Sequence, residues 1–224
     1  MTLCERAGDR GRSVVVTIDG PAGAGKSTVA RRLAERLGFA YVNSGAIYRA
    51  VAWRESQGEP VERVFESLRV EPGGRVRVDG QDVTEMLYTP AVSERAVSLS
   101  QRPEVRAFAD RLQRKAAARG PVVVEGRDAG TVVFPDAECK FYLDASPEAR
   151  ARRRYAEQHA GGASANLETI RDAIAARDAA DRTRPMARLE RSADATYVDS
   201  SDMTVDEVVE LMAKEVERAC STRS

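Results

Sequence analysis

The sequence predicts an α/β fold in which a parallel sheet is flanked by helices. Apolar runs of strand length alternate with longer amphipathic segments along most of the chain, as in βαβ units with right-handed crossovers. The first run, "SVVVTID" at 13–19, is apolar almost throughout, which is typical of a strand covered on both faces. It leads directly into the glycine-rich stretch "GPAGAGKST". Ligands of such sheets gather at the carboxyl ends of the strands.

The elements of the first half follow from these patterns. A helix is predicted from Lys26, because apolar residues recur at spacings of four until Gly38 ends it. "FAYV" predicts a second strand, and Asn43 and Ser44 lead in a second helix. The stretch "VEPGGRVRVDGQDVT" alternates valine with polar residues around turn signals and predicts a hairpin inserted at about 70–84.

The second half repeats the alternation of strand and helix. Two helices are predicted at about 90–100 and 103–119. Three strands and three helices are predicted after them. The strands are "PVVVEGRD", "AECKFYLD" and "ATYVDSS", and the helices are "SPEARARRRYAEQHA", "NLETIRDAIAARDAADRTR" and "TVDEVVELMAKEVERA".

Length and composition narrow the class of protein. The 224 residues favour one domain spanning 1–224. The 35 basic and 35 acidic side chains cancel, which argues against nucleic-acid or membrane-surface partners. No apolar run approaches the roughly 20 residues of a membrane span, and the polar N-terminus lacks a secretory signal. We expect a cytoplasmic protein, and a monomer because no helix shows an exposed apolar stripe.

The glycine-rich stretch fits the pattern G-x-x-x-x-G-K-[ST] of a loop that holds a nucleoside triphosphate. Its glycines let successive backbone N–H groups face one anion, and the following helix adds its positive end. Lys26 would contact the β and γ phosphates, and the Ser27 hydroxyl would bind Mg²⁺. The predicted ATP-binding residues are Gly20, Pro21, Ala22, Gly23, Ala24, Gly25, Lys26, Ser27 and Thr28.

The loop alone does not identify the acceptor of the phosphate. A GTP-binding switch protein needs Asn-Lys-x-Asp, which is absent around the four lysines of the chain. A mechanical ATPase usually needs a longer chain. A kinase with a second pocket facing the triphosphate remains, and three stretches could build that pocket: "NSGAIYR" at 43–49, "EGRDAGTVVFPDA" at 125–137 and "RDAADRTR" at 177–184.

Together these stretches resemble the bacterial cytidylate kinases, over about 14–219 of the chain. The resemblance implies a P-loop kinase fold with a core from about 14 to 224. It also implies an NMP-binding segment at about 44–106 that carries the hairpin insert, and a lid at about 150–166. The implied activity is transfer of the γ-phosphate of ATP, with Mg²⁺, to CMP or dCMP. A UMP or shikimate kinase on the same fold, and a regulatory module without turnover, are the alternatives.

The resemblance also implies roles for individual side chains. Arg49 and Arg127 would grip the acceptor phosphate and Arg184 would reach the transferring group, because a guanidinium bonds two oxygens at once. Three residues would bind the cytosine edge, namely Ser44, Arg106 and Asp128. Two would hold the sugar hydroxyls, namely Arg177 and Asp181, whose i, i+4 spacing puts them on one helix face. In the lid, Arg153 is the candidate for a transition-state contact.

Some of these side chains have plainer interpretations. Residues 177–184 could be a solvated, salt-bridged helix face, and Arg150 to Arg154 a charged surface. Glu125 could position Mg²⁺ through water, or only pair with an arginine. Asn43 stands where the family commonly has Asp, and Ser98 or Ser100 is expected to contact the base.

The chemistry needs no general base, because a phosphate oxygen is already ionised at neutral pH. Catalysis would therefore consist of positioning and charge neutralisation in a site that excludes water. A closing lid is expected, with Gly161-Gly162 as its hinge.

Overall fold

A computed structural model describes residues 13–160, 166–186 and 188–221, and its centre is a parallel sheet. The strands are β1 (Val15–Asp19), β2 (Ala40–Asn43), β3 (Arg69–Val70), β4 (Val76–Val78), β5 (Gln81–Asp82), β6 (Val122–Gly126), β7 (Cys139–Asp144) and β8 (Thr196–Asp199). Five of them form the main sheet in the order β2–β6–β1–β7–β8, and all four pairings are parallel. The predicted parallel sheet is confirmed.

Helices cover both faces of this sheet. They are α1 (Lys26–Leu37), α2 (Ser44–Glu55), α3 (Val61–Ser67), α4 (Pro90–Leu99), α5 (Pro103–Ala117), α6 (Pro147–Ala160), α7 (Leu167–Thr183) and α8 (Val205–Ser221). A 3-10 helix at Thr84–Tyr88 and a π-helix at Ala129–Val133 complete the regular structure of the described residues. The predicted flanking helices are confirmed.

Side chains of the central strands point alternately into two apolar cores, one on each face of the sheet. In β1, Val16 and Ile18 face the core beneath α1 and α8, whereas Val15 faces the core beneath α2 and α5. Because side chains of a strand point alternately to opposite faces, an uninterrupted apolar run fills both cores. A third, small cluster joins α6 to α7 through Ala151, Ile170 and Ile174.

The inserted segment differs from the predicted hairpin. It is a three-stranded antiparallel sheet, β3–β4–β5, preceded by the unpredicted helix α3. The insert contacts the edge strand of the main sheet, where Tyr41 donates its N–H to the Pro72 carbonyl at 2.7 Å. At Gly74, with φ of +80°, a Cβ would lie 2.5 Å from the Tyr41 ring. The Gly-Gly turn therefore allows the insert to pack directly onto β2.

Polar caps begin several helices. Asn166 accepts hydrogen bonds from the N–H groups of Glu168 and Thr169 at the start of α7. Before α8, Thr204 and Glu207 cap each other in a reciprocal capping box. No helix in the described ranges is both long and apolar enough to cross a bilayer.

Candidate active site

The glycine-rich loop connects β1 to α1 and forms the first wall of the site. Gly23 and Gly25 have φ of +78° and +87°, a conformation that a Cβ would strain. A Cβ at Gly20 would lie 2.0 Å from the Leu143 carbonyl oxygen of β7. The loop therefore turns sharply and brings its backbone to the start of α1, as an anion cradle requires.

Lys26 points into this loop and is buried, with its ammonium donating to the Pro21 carbonyl at 2.7 Å. Burial, followed by the charge of Arg127, lowers the pKa of Lys26 well below its usual value. A bound polyanion would oppose both effects. The position suits a lysine that neutralises phosphate charge.

Glu125 connects the loop to the edge strand of the sheet. One of its carboxylate oxygens accepts a hydrogen bond from the Ser27 hydroxyl at 3.1 Å, and the other accepts from the Tyr41 hydroxyl at 2.6 Å. Glu125 thus contacts Ser27 and Tyr41 rather than only an arginine. Burial and the neighbouring Glu125 raise the pKa of the Tyr41 phenol, so the phenol remains a donor.

The segment that follows β6 forms the second wall of the site. Arg106 on α5 forms a buried ion pair with Asp128, and Asp128 follows directly on Arg127. The Nη1 atom of Arg106 is buried and has no hydrogen-bond partner among the described residues. Ser44 is buried close by, since a Cβ at Gly126 would lie 2.9 Å from its hydroxyl oxygen. The three residues predicted to bind a base are thus all buried near the end of β6.

Two arginines pair with one buried carboxylate, and two more lie within electrostatic reach of Arg127. Asp181 pairs with Arg127, whose Nε lies 3.0 Å away, and with Arg184. Burial, then the charge of Arg127, lowers the pKa of Arg177 to about 10. Burial also lowers the pKa of Arg49, which stacks over the Tyr88 ring at 5.2 Å. Mutual repulsion among these cations favours a bound anion.

The contacts of Asp181 decide between two interpretations of residues 177–184. Asp181 is 1% exposed and Arg177 is mostly buried. Asp181 and Arg184 do form a salt bridge on this helix, but the pair is buried rather than solvated. Arg177 and Asp181 lie on the same turn of α7, but the carboxylate hydrogen-bonds Arg127 rather than Arg177.

Two arginines of α6 bind carbonyl groups of the glycine-rich loop. Arg153 donates to the Ala24 carbonyl at 3.3 Å and to the Ser200 hydroxyl at 3.1 Å. Arg150 is buried, donates to the Ala22 carbonyl at 3.2 Å and pairs with Asp178 at 2.7 Å. The stretch is therefore more than a charged surface. The transition-state role of Arg153 stays a prediction.

The remaining predicted residues have simpler positions. Asn43 caps α2, accepting from the Ala46 N–H at 3.0 Å, a role that needs no charge. Ser98 is exposed, whereas Ser100 is buried and donates to the Val97 carbonyl at 2.7 Å. The Gly161-Gly162 hinge lies outside the described residues.

Several residues that shape the candidate site were not predicted. Asp19 accepts two backbone N–H groups, Tyr41 holds Glu125, and the Arg150–Asp178 pair joins α6 to α7. Asp19 and Tyr41 had a detectable signal, since each is a polar residue inside an apolar strand run. Within "RARRR", nothing in the sequence distinguishes Arg150 from the neighbouring arginines.

A family model described as cytidylate kinase matches residues 16–218. This chain belongs to the cytidylate kinase family. Cytidylate kinases of Geobacter sulfurreducens and Caldanaerobacter subterraneus are 42% and 45% identical to it, over 93% and 88% of this chain and 96% and 92% of theirs. The cytidylate kinase of Pelotomaculum thermopropionicum is 46% identical, over 90% of this chain and 95% of its own length.

Solved structures support the fold of this cytidylate kinase family member. The Thermus thermophilus protein TT1252 is 25% identical and superposes with a TM-score of 0.52, covering 92% of this chain and 96% of its own. A Sinorhizobium meliloti gluconokinase, 17% identical, superposes with a TM-score of 0.51 over 94% and 96% of the two chains. At 17% identity, the similarity to the gluconokinase shows a shared fold and nothing more.

Proposed function

We propose that this protein transfers the γ-phosphate of ATP to CMP or dCMP, giving ADP and CDP or dCDP. Family membership supports the activity. Within the site, the main support is that a phosphate cradle and the buried Arg106–Asp128 pair lie at the carboxyl ends of adjacent strands. An arginine and a carboxylate together offer the donors and the acceptor that cytosine requires.

The donor side holds ATP in the loop from Gly20 to Thr28. Lys26 contacts the β and γ phosphates. The Ser27 hydroxyl and the Glu125 carboxylate are oxygen ligands of the kind that Mg²⁺ prefers, and they already lie 3.1 Å apart. They would hold the ion, Glu125 through water, and the bound ion would neutralise charge on the phosphates.

The acceptor side holds the nucleoside monophosphate. Arg49 and Arg127 bind its phosphate, and Arg184 reaches the transferring group. Arg177 and Asp181 hold the sugar, while Ser44, Arg106 and Asp128 bind the base. Asp181 keeps two guanidiniums in place between turnovers, since it pairs with Arg127 and Arg184.

Catalysis then rests on positioning and charge rather than on a general base, because the attacking phosphate oxygen is already ionised. The segment at 150–166 acts as the lid. Arg153 already contacts the carbonyl of Ala24 in the loop, which supports its assignment to the transferring group. We also expect the protein to be a cytoplasmic monomer that binds no nucleic acid.

A coupled ADP-release assay with CMP, dCMP, UMP, AMP and shikimate as acceptors tests the proposal. CMP and dCMP should stimulate ADP release far more than the other three. The Lys26→Met variant should lose turnover because it lacks the charge that the phosphates need. Stimulation by UMP or shikimate but not by CMP would overturn the proposal.

A further inference from the structure

Asp19 is a buried carboxylate with no place in the mechanism above. It is the last residue of β1, immediately before the glycine-rich loop, and is 5% exposed. One oxygen accepts the N–H of Ala129 at 2.9 Å, and the other accepts the N–H of Gly130 at 2.7 Å. Two consecutive backbone N–H groups thus bind one side chain that is 110 or 111 residues away in the sequence.

Those two N–H groups begin the π-helix Ala129–Val133. The first N–H groups of a helix have no partner within the helix and need one from elsewhere, and a negative charge there is favourable. The π-helix starts directly after Arg127 and Asp128. Whatever fixes its start therefore also fixes the backbone that carries these two acceptor-binding side chains.

The surroundings leave the carboxylate little freedom. A Cβ at Gly130 would lie 3.3 Å from one Asp19 oxygen and 2.7 Å from the Thr17 hydroxyl oxygen. At Gly126, a Cβ would lie 3.3 Å from the other Asp19 oxygen. Glycines on both sides thus allow the segment after β6 to close around the carboxylate.

We propose that Asp19 is a positioning residue for the acceptor pocket. It acts through the backbone of 129–130, holding Arg127 and Asp128 where they meet the acceptor nucleotide. The inference rests on the proposed function, because the acceptor named in its test is CMP.

The Asp19→Asn variant tests this role. Asparagine has nearly the same shape, but only one of its terminal atoms accepts, so its amide would oppose one of the two N–H groups. The start of the π-helix would then shift, and with it the backbone that carries Arg127 and Asp128. The KM for CMP should therefore rise at least tenfold, whereas the KM for ATP should change by less than about threefold. Calorimetry with CMP alone should show the same weakening.

Asp144→Asn is the matched control. Asp144 ends β7, the neighbouring strand, and accepts the N–H of the next residue at 2.8 Å. Its variant should leave the KM for CMP unchanged. A purely structural role for Asp19 would instead move both KM values together with the melting temperature, and would overturn the inference.

A second variant covers the case in which Asp19→Asn does not fold. In Gly130→Ala the added Cβ would lie 2.7 Å from the Thr17 hydroxyl oxygen and 3.3 Å from an Asp19 oxygen. It should therefore push the start of the π-helix away from β1 and likewise weaken CMP binding more than ATP binding. Unchanged CMP affinity in a folded variant of either kind would refute the role. If wild-type protein phosphorylates CMP and the variants behave normally, only this inference fails. If wild-type protein does not use CMP, the proposed function fails first.

Discussion

The buried ion pair of Arg106 and Asp128 allows a specific prediction about acceptor recognition. Asp128→Asn keeps the shape of the side chain and removes its charge, so Arg106 loses its counter-ion and the base loses a charged acceptor. The Arg106 and Asp128 side chains are only 6% and 11% exposed, so water cannot replace the lost partner.

The burial of this pair determines how large a loss of kcat/KM for CMP we expect. A hydrogen bond to a charged group is worth about 1.5–3 kcal/mol, and about 1.4 kcal/mol corresponds to a factor of ten. The kcat/KM for CMP should therefore fall by roughly 10- to 150-fold. Removing one partner of a buried pair costs up to about 3–5 kcal/mol of stability. The loss of stability in Asp128→Asn should be near or below the lower end of that range, because the Asp110 carboxylate also lies near Arg106.

Initial rates of ADP release, measured against CMP at saturating ATP and then against ATP at saturating CMP, separate the two substrates. Asp110→Asn is the control, since it removes a carboxylate near the same arginine but not one assigned to the base. The reasoning would be refuted if Asp128→Asn kept kcat/KM for CMP within threefold of wild type, or weakened ATP use equally.

Three further predictions concern buried polar groups. Burial raises the pKa of Asp19 to about 6 from 3.8. Because the folded-state pKa is raised, the stability is present at low pH and is lost as the pH rises. At about 1.4 kcal/mol per pKa unit, wild-type protein should lose about 2 kcal/mol of unfolding free energy, relative to Asp19→Asn, between pH 4 and 7 in urea titrations; a pH-independent difference would contradict this. Tyr41→Phe leaves Glu125 without one of its hydrogen-bond donors. It should raise the Mg²⁺ concentration needed for the half-maximal rate and lower the free energy of unfolding by about 1–3 kcal/mol. Unchanged values for both would count against the contact between Tyr41 and Glu125. Asp178→Asn, which uncouples Arg150, should cost about 3–5 kcal/mol in thermal unfolding, and a loss below 1 kcal/mol would show that the pair is unimportant.

Much of the fold could be predicted from local patterns. The apolar run that ends at Asp19 predicts a strand buried on both faces, and both cores confirm it. Gly38 ends α1 in the left-handed conformation, with φ of +71°. Such signals are local, since each depends on residues within a turn or a strand of one another.

The unpredicted features depend on contacts between distant segments. The helix α3 is an exception, because Val61, Val64 and Phe65 stand at helical spacing and could have indicated it, although it has only seven residues. The π-helix at Ala129–Val133 depends on a carboxylate 110 residues earlier. The partner of Arg150 lies on another helix, at Asp178. No short window of the sequence contains both members of such pairs.

The candidate site shows the same division. The loop from Gly20 to Thr28 is a contiguous motif, and the structure places it between β1 and α1 as predicted. The contacts among Arg127, Asp181 and Arg184 could be anticipated only as a cluster. Which guanidinium the carboxylate binds depends on how the end of α7 meets the segment after β6.

The most direct measurement of the central claim is the identity of the phosphorylated product. With ATP labelled at the γ-phosphate and CMP as acceptor, the label should appear in CDP in an amount equal to the ADP released, and Lys26→Met should abolish it. Label found only in inorganic phosphate, or transferred to UMP or shikimate but not to CMP, would contradict the account.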